Sequence, residues 1–327
     1  MATRIVLDCD PGHDDAFALL LALASPELEL LGVTTVSGNQ TVAKTTVNAL
    51  RLLEFVGRDV PVAAGADRPL VREHYVAAYV HGETGLDGPD LPAPTTRPVA
   101  EHAVEFLAGH VAGTTLVATG PLTNLALLLA LHPDARPERL VLMGGAIGEG
   151  NTTPAAEFNV WADPEAAARV FASGWDVTMI GLDVTHRALI TREHAERLRG
   201  SGRVGAMAAQ LLDFYGKFHS QHYPEFGGGS PMHDPVCIAH LLDDSLVETR
   251  PAFVEVDCGW EQGRGRTNVH LRGRTVPRDA PAKPARPSLG GSVEPTPPRR
   301  PSSATEDGVS PSGQVSPWSK QTGSSSR

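Results

Sequence analysis

Short apolar runs alternate with amphipathic segments along the first part of the chain. The apolar runs predict strands at residues 4–9, 28–36 and 61–64. Between them, apolar positions at helical spacing predict helices at residues 14–24 and 41–55. This order of strand, helix, strand, helix, strand predicts a parallel sheet with right-handed crossovers.

The alternation resumes after an irregular stretch, residues 65–98, that is rich in Gly, Pro and His. Loops of this length are usually functional or disordered. We expect a single α/β domain with an open, mainly parallel, Rossmann-like sheet flanked by helices. The later predicted helices cover residues 99–110, 121–131, 164–172 and 234–242, with two more helical stretches after residue 182. The later predicted strands cover residues 114–118, 140–143, 177–182 and 252–257, with a Gly-rich loop at 144–161.

The character of the sequence changes at about Val276. The remaining residues contain ten of the 27 prolines, many Ser and Arg, and almost no large apolar side chains. Such a composition buries too little apolar surface to offset the entropy of ordering the chain. We therefore predict a folded domain over residues 1–275 and a disordered tail over residues 276–327.

Composition excludes several classes of function. The chain of 327 residues is 41% hydrophobic, which suffices for one large core. A formal charge of −10 argues against a nucleic acid or an anionic membrane as a partner. No apolar stretch is long enough to span a bilayer, and the start of the chain lacks the apolar core of a signal peptide. Three sparse cysteines without C-x-x-C spacing suit a reducing compartment, so we expect a cytoplasmic protein.

Four carboxylates lie within eight residues at the end of the first predicted strand, in the sequence DCDPGHDD. Asp8 and Asp10 are two residues apart in a strand, so their side chains leave the same face. Asp14 and Asp15 begin the next helix, whose N-terminus favours negative charge. In open α/β sheets, ligands bind beyond the carboxyl ends of the strands. We therefore expect the active site at this edge of the sheet.

This concentration of negative charge is unfavourable without a cation. Oxygen ligands alone favour Ca²⁺ or Mg²⁺ over Zn²⁺. The structural alternative is a capped helix with a solvated acidic turn. Two other functions stay open at this point: a Mg²⁺-dependent phosphohydrolase with Asp8 or Asp10 as nucleophile, and a non-catalytic module that binds a nucleoside or a sugar.

The sequence DCDPGHDD resembles the N-terminal signature of the inosine-uridine-preferring nucleoside hydrolase family. Further similar segments follow in the same order and, with the first, cover roughly residues 3–270. They are TTVSGNQT at 34–41, HGETGL at 81–86, ATGPLTN at 118–124, VLMGGAIGEGN at 141–151, AEFNVWADPEAA at 156–167, GLDVTH at 181–186 and MHDP at 232–235. The resemblance implies hydrolysis of the N-glycosidic bond of purine or pyrimidine ribonucleosides to ribose and free base.

The resemblance also implies one Ca²⁺ per subunit. Asp10, Asp15 and Asp234 would supply carboxylate ligands, and the main-chain carbonyl of Thr119 would complete the protein's share. The ribose 2′- and 3′-hydroxyls and one water would fill the remaining positions. Asp10 is further implied as the general base that takes a proton from this water, and Asp8 as a residue that orients the loop.

Five residues are similar to the family's sugar-binding residues. Asp14, Asn39 and Asn159 correspond to ribose contacts, and Asn151 and Glu157 correspond to the pair that holds the 5′-hydroxyl. For two of them, the neighbouring residues in the sequence also allow a purely structural role. Asn39 follows a Ser-Gly turn and Asn151 a Gly-rich turn, where asparagine is also common for conformational reasons.

The leaving base is expected between His81 and His233, with Met143 packed under the sugar. Cleavage of a ribosyl bond builds positive charge on the sugar. The resemblance makes His233 the group that aids departure of the base, since histidine changes charge near neutral pH. Residues 217–230, called the flap below, are expected to move over the base. We interpret His186 as a buried, hydrogen-bonded residue without a catalytic role.

These histidines and the methionine also have structural alternatives. His81 alone would be an ordinary loop histidine, His233 a helix cap, and Met143 a core residue.

The base preference is open, and by resemblance we expect a homodimer or homotetramer. Relatives usually end with a strand and a helix after the segment that 268–271 begins, whereas this chain enters the predicted tail. Each large apolar side chain left uncovered would cost roughly 1.5–3 kcal/mol, so we expect weaker folding than in relatives with a complete end.

Overall fold

The computed structural model describes residues 2–271. Its main feature is a sheet of six parallel strands in the order β3-β2-β1-β4-β5-β6. These strands are β1 (Thr3–Cys9), β2 (Leu28–Thr35), β3 (Val62–Ala64), β4 (Thr115–Ala118), β5 (Arg139–Met143) and β6 (Val177–Ile180). The prediction of an open parallel α/β sheet is confirmed.

Helices connect the strands and cover both faces of the sheet. The helices within the described residues are α1 (His13–Ala24), α2 (Val42–Val56), α3 (Ala78–His81), α4 (Ala103–His110), α5 (Thr123–Leu131), α6 (Phe158–Ala162), α7 (Pro164–Phe171), α8 (Leu182–Thr185), α9 (Arg192–Arg199), α10 (Arg203–His222) and α11 (Pro235–Leu242). Two small antiparallel sheets pair β7 (Leu189–Ile190) with β8 (Ser230–Pro231) and β9 (Phe253–Val256) with β10 (Thr267–His270).

Alternate residues of β1 belong to the two hydrophobic cores of the domain. Ile5, Leu7 and Cys9 pack in one core with residues of α1, α2, α10 and α11. Val6 packs in the other core with residues of α4, α5 and α7. A strand that is buried on both faces needs apolar residues throughout, which explains the continuous apolar run at the start of the chain.

The order of the strands reverses between β1 and β4. The chain first proceeds from β1 through β2 to β3, then returns to place β4 on the other side of β1. The two central strands end at the same level, with Asp8 opposite Ala118 in the register. The residues after each strand, including Asp10 and Thr119, therefore meet at one point. Such a reversal point is where open α/β sheets bind their ligands.

Several predicted boundaries differ from the structure. The helix expected at 99–110 begins at Ala103, because the side chain of His102 caps it by accepting a hydrogen bond from the backbone of Val104. The strand expected at 177–182 ends at Ile180, because Gly181 is the N-cap of α8. The loops expected at 65–98 and 144–161 contain the short helices α3 and α6, which their glycine and proline content concealed.

The predicted tail and the expected loss of a terminal strand and helix lie outside the described residues. Within residues 2–271, every helix is too short or too polar to cross a bilayer.

Candidate active site

A pocket of about 670 Å³ opens beyond the carboxyl ends of β1 and β4. Ten of the twelve residues that the sequence predicts for the site line it. The other two, Asp10 and Asp15, are buried beside it and are joined to it through Asn39. The structure thus brings together residues that come from seven separate segments of the sequence.

Three carboxylates converge at one wall of the pocket. Oxygen atoms of Asp14, Asp15 and Asp234 all lie within 4.8 Å of one another, and all three side chains are buried. The pair Asp14 and Asp15 opens α1, and Asp234 precedes α11, which packs beside α1. The three acids are therefore held by the ends of two adjacent helices.

Burial makes the charged form of these acids unfavourable. It raises the pKa of Asp14 to about 7, and repulsion from Asp15 adds to the effect. It also raises the pKa of Asp15, and it raises the pKa of Asp234 well above its ordinary value, with Asp14 and Asp15 as repelling neighbours. A bound cation would reverse both effects, because it favours the charged carboxylates.

Asp10 lies next to this group, and only one of its two carboxylate oxygens has a hydrogen-bond partner within residues 2–271. Its Oδ2 accepts a hydrogen bond from the backbone nitrogen of Asn39 at 2.6 Å. Its Oδ1 is buried and has no hydrogen-bond partner within residues 2–271. Buried polar atoms are normally paired, so an orphaned carboxylate oxygen beside three more acids fits a cation ligand.

Asp15 is fixed by four neighbours, one of which is the backbone nitrogen of Asp10, which donates to Oδ1 at 3.3 Å. Its Oδ2 accepts hydrogen bonds from the backbone nitrogen of Gly12 and from Nδ2 of Asn39, both at 3.0 Å. Its Oδ1 accepts one from Oγ1 of Thr119 at 2.8 Å. These bonds hold the carboxylate between the ends of β1, β2 and β4.

Asp8 lies below the pocket and braces the strand ends. Its Oδ1 accepts hydrogen bonds from Oγ1 of Thr34 at 2.5 Å and from Nδ2 of Asn124 at 2.8 Å. Asn124 also donates to the carbonyl of Thr35 and accepts from the backbone nitrogen of Ala66. Asp8 therefore joins the ends of β1, β2 and α5 and is not among the residues that line the pocket, and its role in orienting the loop stays a prediction.

One side of the pocket is lined by polar groups on short, capped segments. Nδ2 of Asn159 donates to the carbonyls of Thr119 at 2.8 Å and Met143 at 3.2 Å. Glu157 caps α6 by accepting hydrogen bonds from backbone nitrogens, including that of Asn159 at 2.8 Å. Burial nevertheless raises the pKa of Glu157 to about 7. Asn151 accepts a hydrogen bond from the backbone nitrogen of Phe158, which supports the same turn.

The opposite side of the pocket is aromatic and rich in histidine. Tyr215, His219 and Tyr223 succeed one another at intervals of four residues along α10 and its C-cap, with ring centroids 4.2 and 5.7 Å apart. Tyr223 stacks on Phe226 at 5.4 Å, and both belong to the flap. Residues four apart lie on one face of a helix, so α10 presents this face to the pocket.

His233 stands at the junction of the aromatic and acidic sides. Its Nδ1 lies 2.7 Å from Oγ1 of Thr185, and it directly precedes Asp234. Part of the ring is accessible, but this surface opens into the pocket, and the surrounding protein still desolvates it. Burial therefore lowers the pKa of His233 well below that of free histidine, and His186 and His219 repel its charged form.

Comparison with known proteins identifies the chain. A family model described as inosine-uridine preferring nucleoside hydrolase matches residues 5–288. The chain belongs to this family. As a nucleoside hydrolase it cleaves the N-glycosidic bond of ribonucleosides with water, so the resemblance read from the sequence is confirmed. The phosphohydrolase alternative finds no support in these matches.

Curated relatives and solved structures agree with this assignment. Two relatives with the name pyrimidine-specific ribonucleoside hydrolase RihA come from Shewanella sp. (strain ANA-3) and Enterobacter sp. (strain 638). They are 54% and 52% identical, over 82% of this chain in each case and over 87% and 88% of their own lengths. The purine-preferring ribonucleoside hydrolase from Gardnerella vaginalis superposes with a TM-score of 0.78 at 36% identity, covering 81% of this chain and 87% of that one. The plant nucleoside hydrolase PpNRh1 superposes with a TM-score of 0.81 at 32% identity, covering 85% and 91%.

Two features of this nucleoside hydrolase differ from the picture drawn from the sequence. The tight carboxylate group contains Asp14, which the sequence assigned to the sugar, and does not contain Asp10. The side chain of Thr119, a residue for which the resemblance implies only a main-chain role, donates to Asp15, while its carbonyl accepts from Asn159.

Several pocket residues were missed by the sequence analysis. His186, interpreted as a buried structural residue, is half-buried and lines the pocket. Tyr79 and Tyr215 line it as well, whereas Phe218 and His219, which also line it, belong to the flap that the sequence predicts. The spacing of Tyr215, His219 and Tyr223 was the available signal, because it marks an aromatic face of one helix.

The position of His81 fixes which of its ring nitrogens carries the proton. Its Nδ1 accepts a hydrogen bond from the backbone nitrogen of His13 at 3.2 Å. Burial lowers the pKa of His81 well below that of free histidine, and the neighbouring histidines add to this. The neutral ring therefore carries its proton on Nε2 and offers the pocket a hydrogen-bond donor.

Proposed function

We propose that this nucleoside hydrolase is calcium-dependent and prefers pyrimidine ribonucleosides. The observation that carries the proposal is a pocket that combines a group of buried carboxylates with two histidines, His81 and His233. A ribonucleoside has a diol at one end and a hydrogen-bonding base at the other, which matches these two sets of groups.

Asp10, Asp15 and Asp234 would hold the cation, together with the main-chain carbonyl of Thr119. An all-oxygen donor set favours Ca²⁺ or Mg²⁺, and irregular sets with several carboxylates suit the larger Ca²⁺. When bound, the cation orients the ribose diol and the attacking water and lowers the pKa of that water. The partnerless Oδ1 of Asp10 supports this ligand set.

The chain's own residues would carry the remaining chemistry. Asp10 takes the proton of the attacking water, since its Oδ1 has no partner within residues 2–271 and Asn39 joins it to Asp15 at the pocket. Asp14, Asn39 and Asn159 hold the ribose, and their fixed geometry lowers the entropy lost on reaching the transition state. Glu157 caps α6 beside them through bonds from two backbone nitrogens and accepts a third from Gly145 after β5, which makes it a rigid acceptor.

The 5′-hydroxyl and the sugar face complete the ribose site. Glu157 and Asn151, which line the same end of the pocket, would hold the 5′-hydroxyl. Met143 is buried except at the pocket and would pack under the sugar ring. These contacts recognise a ribose in particular, because a substrate without the 5′-hydroxyl would leave buried polar groups unpaired.

The base would lie against the two histidines. Nε2–H of His81 is a donor suited to a base carbonyl, and His233 would assist departure of the base from its position beside the acids. Both purine and pyrimidine bases offer such acceptors. The preference for pyrimidines is therefore supported mainly by the relatives that are more than half identical and carry a pyrimidine-specific name.

The assay compares release of ribose from uridine, cytidine, inosine and adenosine, with and without a chelator. We expect pyrimidine nucleosides to be cleaved with the higher kcat/KM, and chelation to abolish all cleavage. Asp10→Ala should remove activity, whereas Asp59→Ala, at an exposed acid far from the site, should not. Faster cleavage of inosine than of uridine would refute the pyrimidine preference. Full activity after chelation would refute the dependence on a metal ion.

We further propose a homodimer or homotetramer in the cytoplasm. Cys9 and Cys237 are buried and free, and Cys258 is half-buried and free, which suits a reducing compartment. Sedimentation at two protein concentrations would measure the assembly, and a monomer at both would contradict the proposal.

A further inference from the structure

His186 occupies a corner of the pocket beside His233. It follows α8 directly, and the residue before it, Thr185, contacts Nδ1 of His233 at 2.7 Å. The two imidazole rings meet edge to face with their centroids 5.7 Å apart. Phe226 of the flap lies on the other side, 5.2 Å from the His186 ring. The segment of Thr185 and His186 therefore contributes one histidine and contacts a second, His233, at the end of the pocket where the base is expected.

His186 differs from the other pocket histidines in its hydrogen bonding. Nδ1 of His81 is occupied by the backbone of His13, and Nδ1 of the buried His219 donates to the carbonyl of Tyr215. Within the part of the chain that the structure describes, the ring nitrogens of His186 have no hydrogen-bond partner at all. The ring is also half-buried, so that it reaches both the pocket and solvent.

The charges around His186 suit a group that gains and loses a proton. Asp183 on its own helix and Glu225 in the flap favour the imidazolium form, and burial opposes it, so that the pKa of His186 is lowered from its ordinary value. The other titratable groups that face it are His219 of α10 and His233, and each repels a second positive charge. A proton on His186 is therefore mobile rather than permanently held.

We propose that His186 is a second proton donor for the departing base. Solvent at the flap returns the proton that His186 loses. The C–N bond breaks with its electron pair going to the base, and an imidazolium N–H of His186 gives its proton to the base. The water oxygen forms the new bond to the ribosyl carbon, and its proton passes to Asp10. Solvent then returns a proton to His186 and removes one from Asp10, so that atoms and charge balance.

A donor role and a packing role differ in their dependence on the leaving group. A base that leaves as a poor anion needs a proton in the transition state, whereas p-nitrophenolate leaves without one. The proposal rests on the proposed function of the pocket, namely that the base lies at this end. The test therefore compares uridine with p-nitrophenyl β-D-ribofuranoside for the wild type and for His186→Gln, across the pH range.

For His186→Gln we expect kcat on uridine to fall on the order of 10²-fold, at the lower end of what a positioned general acid contributes. We expect little change in KM, and little change in kcat on the nitrophenyl riboside. The wild type should lose kcat on uridine as the pH rises and His186 deprotonates, and the variant should lack this decline. His132→Gln is the matched control, because His132 follows α5, pairs with Glu105 at the surface and does not line the pocket.

Equal losses on both substrates, in a variant that melts like the wild type, would overturn the proposal, as would an unchanged kcat on uridine. His186→Asn, measured in the same way, decides the question if the glutamine variant does not fold. Wild-type cleavage of inosine but not of uridine would contradict only the pyrimidine preference. The comparison of His186 variants would then be made with inosine and would keep its meaning.

Discussion

Gly38 lies where Asp10 leaves no room for a side chain. A methyl group at this position would lie 2.1 Å from Oδ2 of Asp10 and 2.7 Å from Cδ of Pro121. The same carboxylate oxygen accepts the hydrogen bond from the backbone nitrogen of Asn39. Gly38→Ala therefore displaces the proposed general base without changing any group that takes part in the chemistry.

The size of the effect follows from how closed the site is. Asp10 is fully buried, with a relative exposure of 0%, so it has little space to move aside. Overpacking a closed site costs about 1–3 kcal/mol, and a lost hydrogen bond to a charged group costs about 1.5–3 kcal/mol. We therefore expect the free energy of unfolding to fall by about 2.5–6 kcal/mol. Misplacement of a catalytic group by about 1 Å should lower kcat on the order of 10²-fold.

Urea unfolding and steady-state hydrolysis of uridine measure the two effects separately. Gly109→Ala is the control, because Gly109 lies in α4 with no atom within 4 Å of the added methyl group. That change should keep kcat and should stabilise the helix by up to about 1 kcal/mol. A Gly38→Ala variant that folds and turns over like the wild type would refute the placement of Asp10 as the base.

Three further substitutions test other parts of the site. Asn124→Ala removes one of the two hydrogen bonds to Asp8 and leaves the backbone nitrogen of Ala66 without its partner, so urea unfolding should show a loss of about 2–4 kcal/mol. Asn159→Ala removes the amide that joins two pocket carbonyls, so kcat/KM should fall on the order of 10²-fold. Burial lowers the pKa of His219 to about 4 from 6.5. The stability held by its neutral ring is therefore present above pH 6.5 and is lost as the pH falls towards 4. In His219→Gln, the free energy of unfolding should fall less steeply with decreasing pH, by up to about 1.4 kcal/mol per pH unit.

Each of these expectations has a clear contrary outcome. An unfolding midpoint for Asn124→Ala equal to that of the wild type would show that Asp8 finds another partner. Wild-type kcat/KM in Asn159→Ala would remove this residue from the ribose site. An identical dependence of stability on pH between 6.5 and 4 in His219→Gln would mean that His219 titrates normally in the folded protein.

The parts of the site that the sequence predicts best are those built from adjacent residues. Asp10, Asp14 and Asp15 follow a strand and open a helix, so their proximity depends only on local geometry, whereas Asp8 is turned away from the pocket. The parallel sheet was predictable for a similar reason, since the buried strands are continuous apolar runs. Asp234 comes from a distant segment, and only the family resemblance pointed to it.

The residues that escaped prediction depend on how distant segments pack. The sequence around His186 shows neither that α8 ends at the pocket wall nor that the flap brings Phe226 against the ring. Asn124 is a similar case, because it lies in the apolar helix α5 and acquires its role from the ends of β1 and β2. Polar residues inside apolar segments thus become interpretable only when their tertiary neighbours are known.

In the proposed function, a divalent cation makes the buried acids tolerable and holds the sugar diol. Isothermal titration of metal-free protein with Ca²⁺ measures this directly. We predict one ion bound per chain, with binding abolished in the double variant Asp15→Asn, Asp234→Asn. A metal-free protein that takes up no calcium, yet releases ribose from uridine at the full rate, would contradict it.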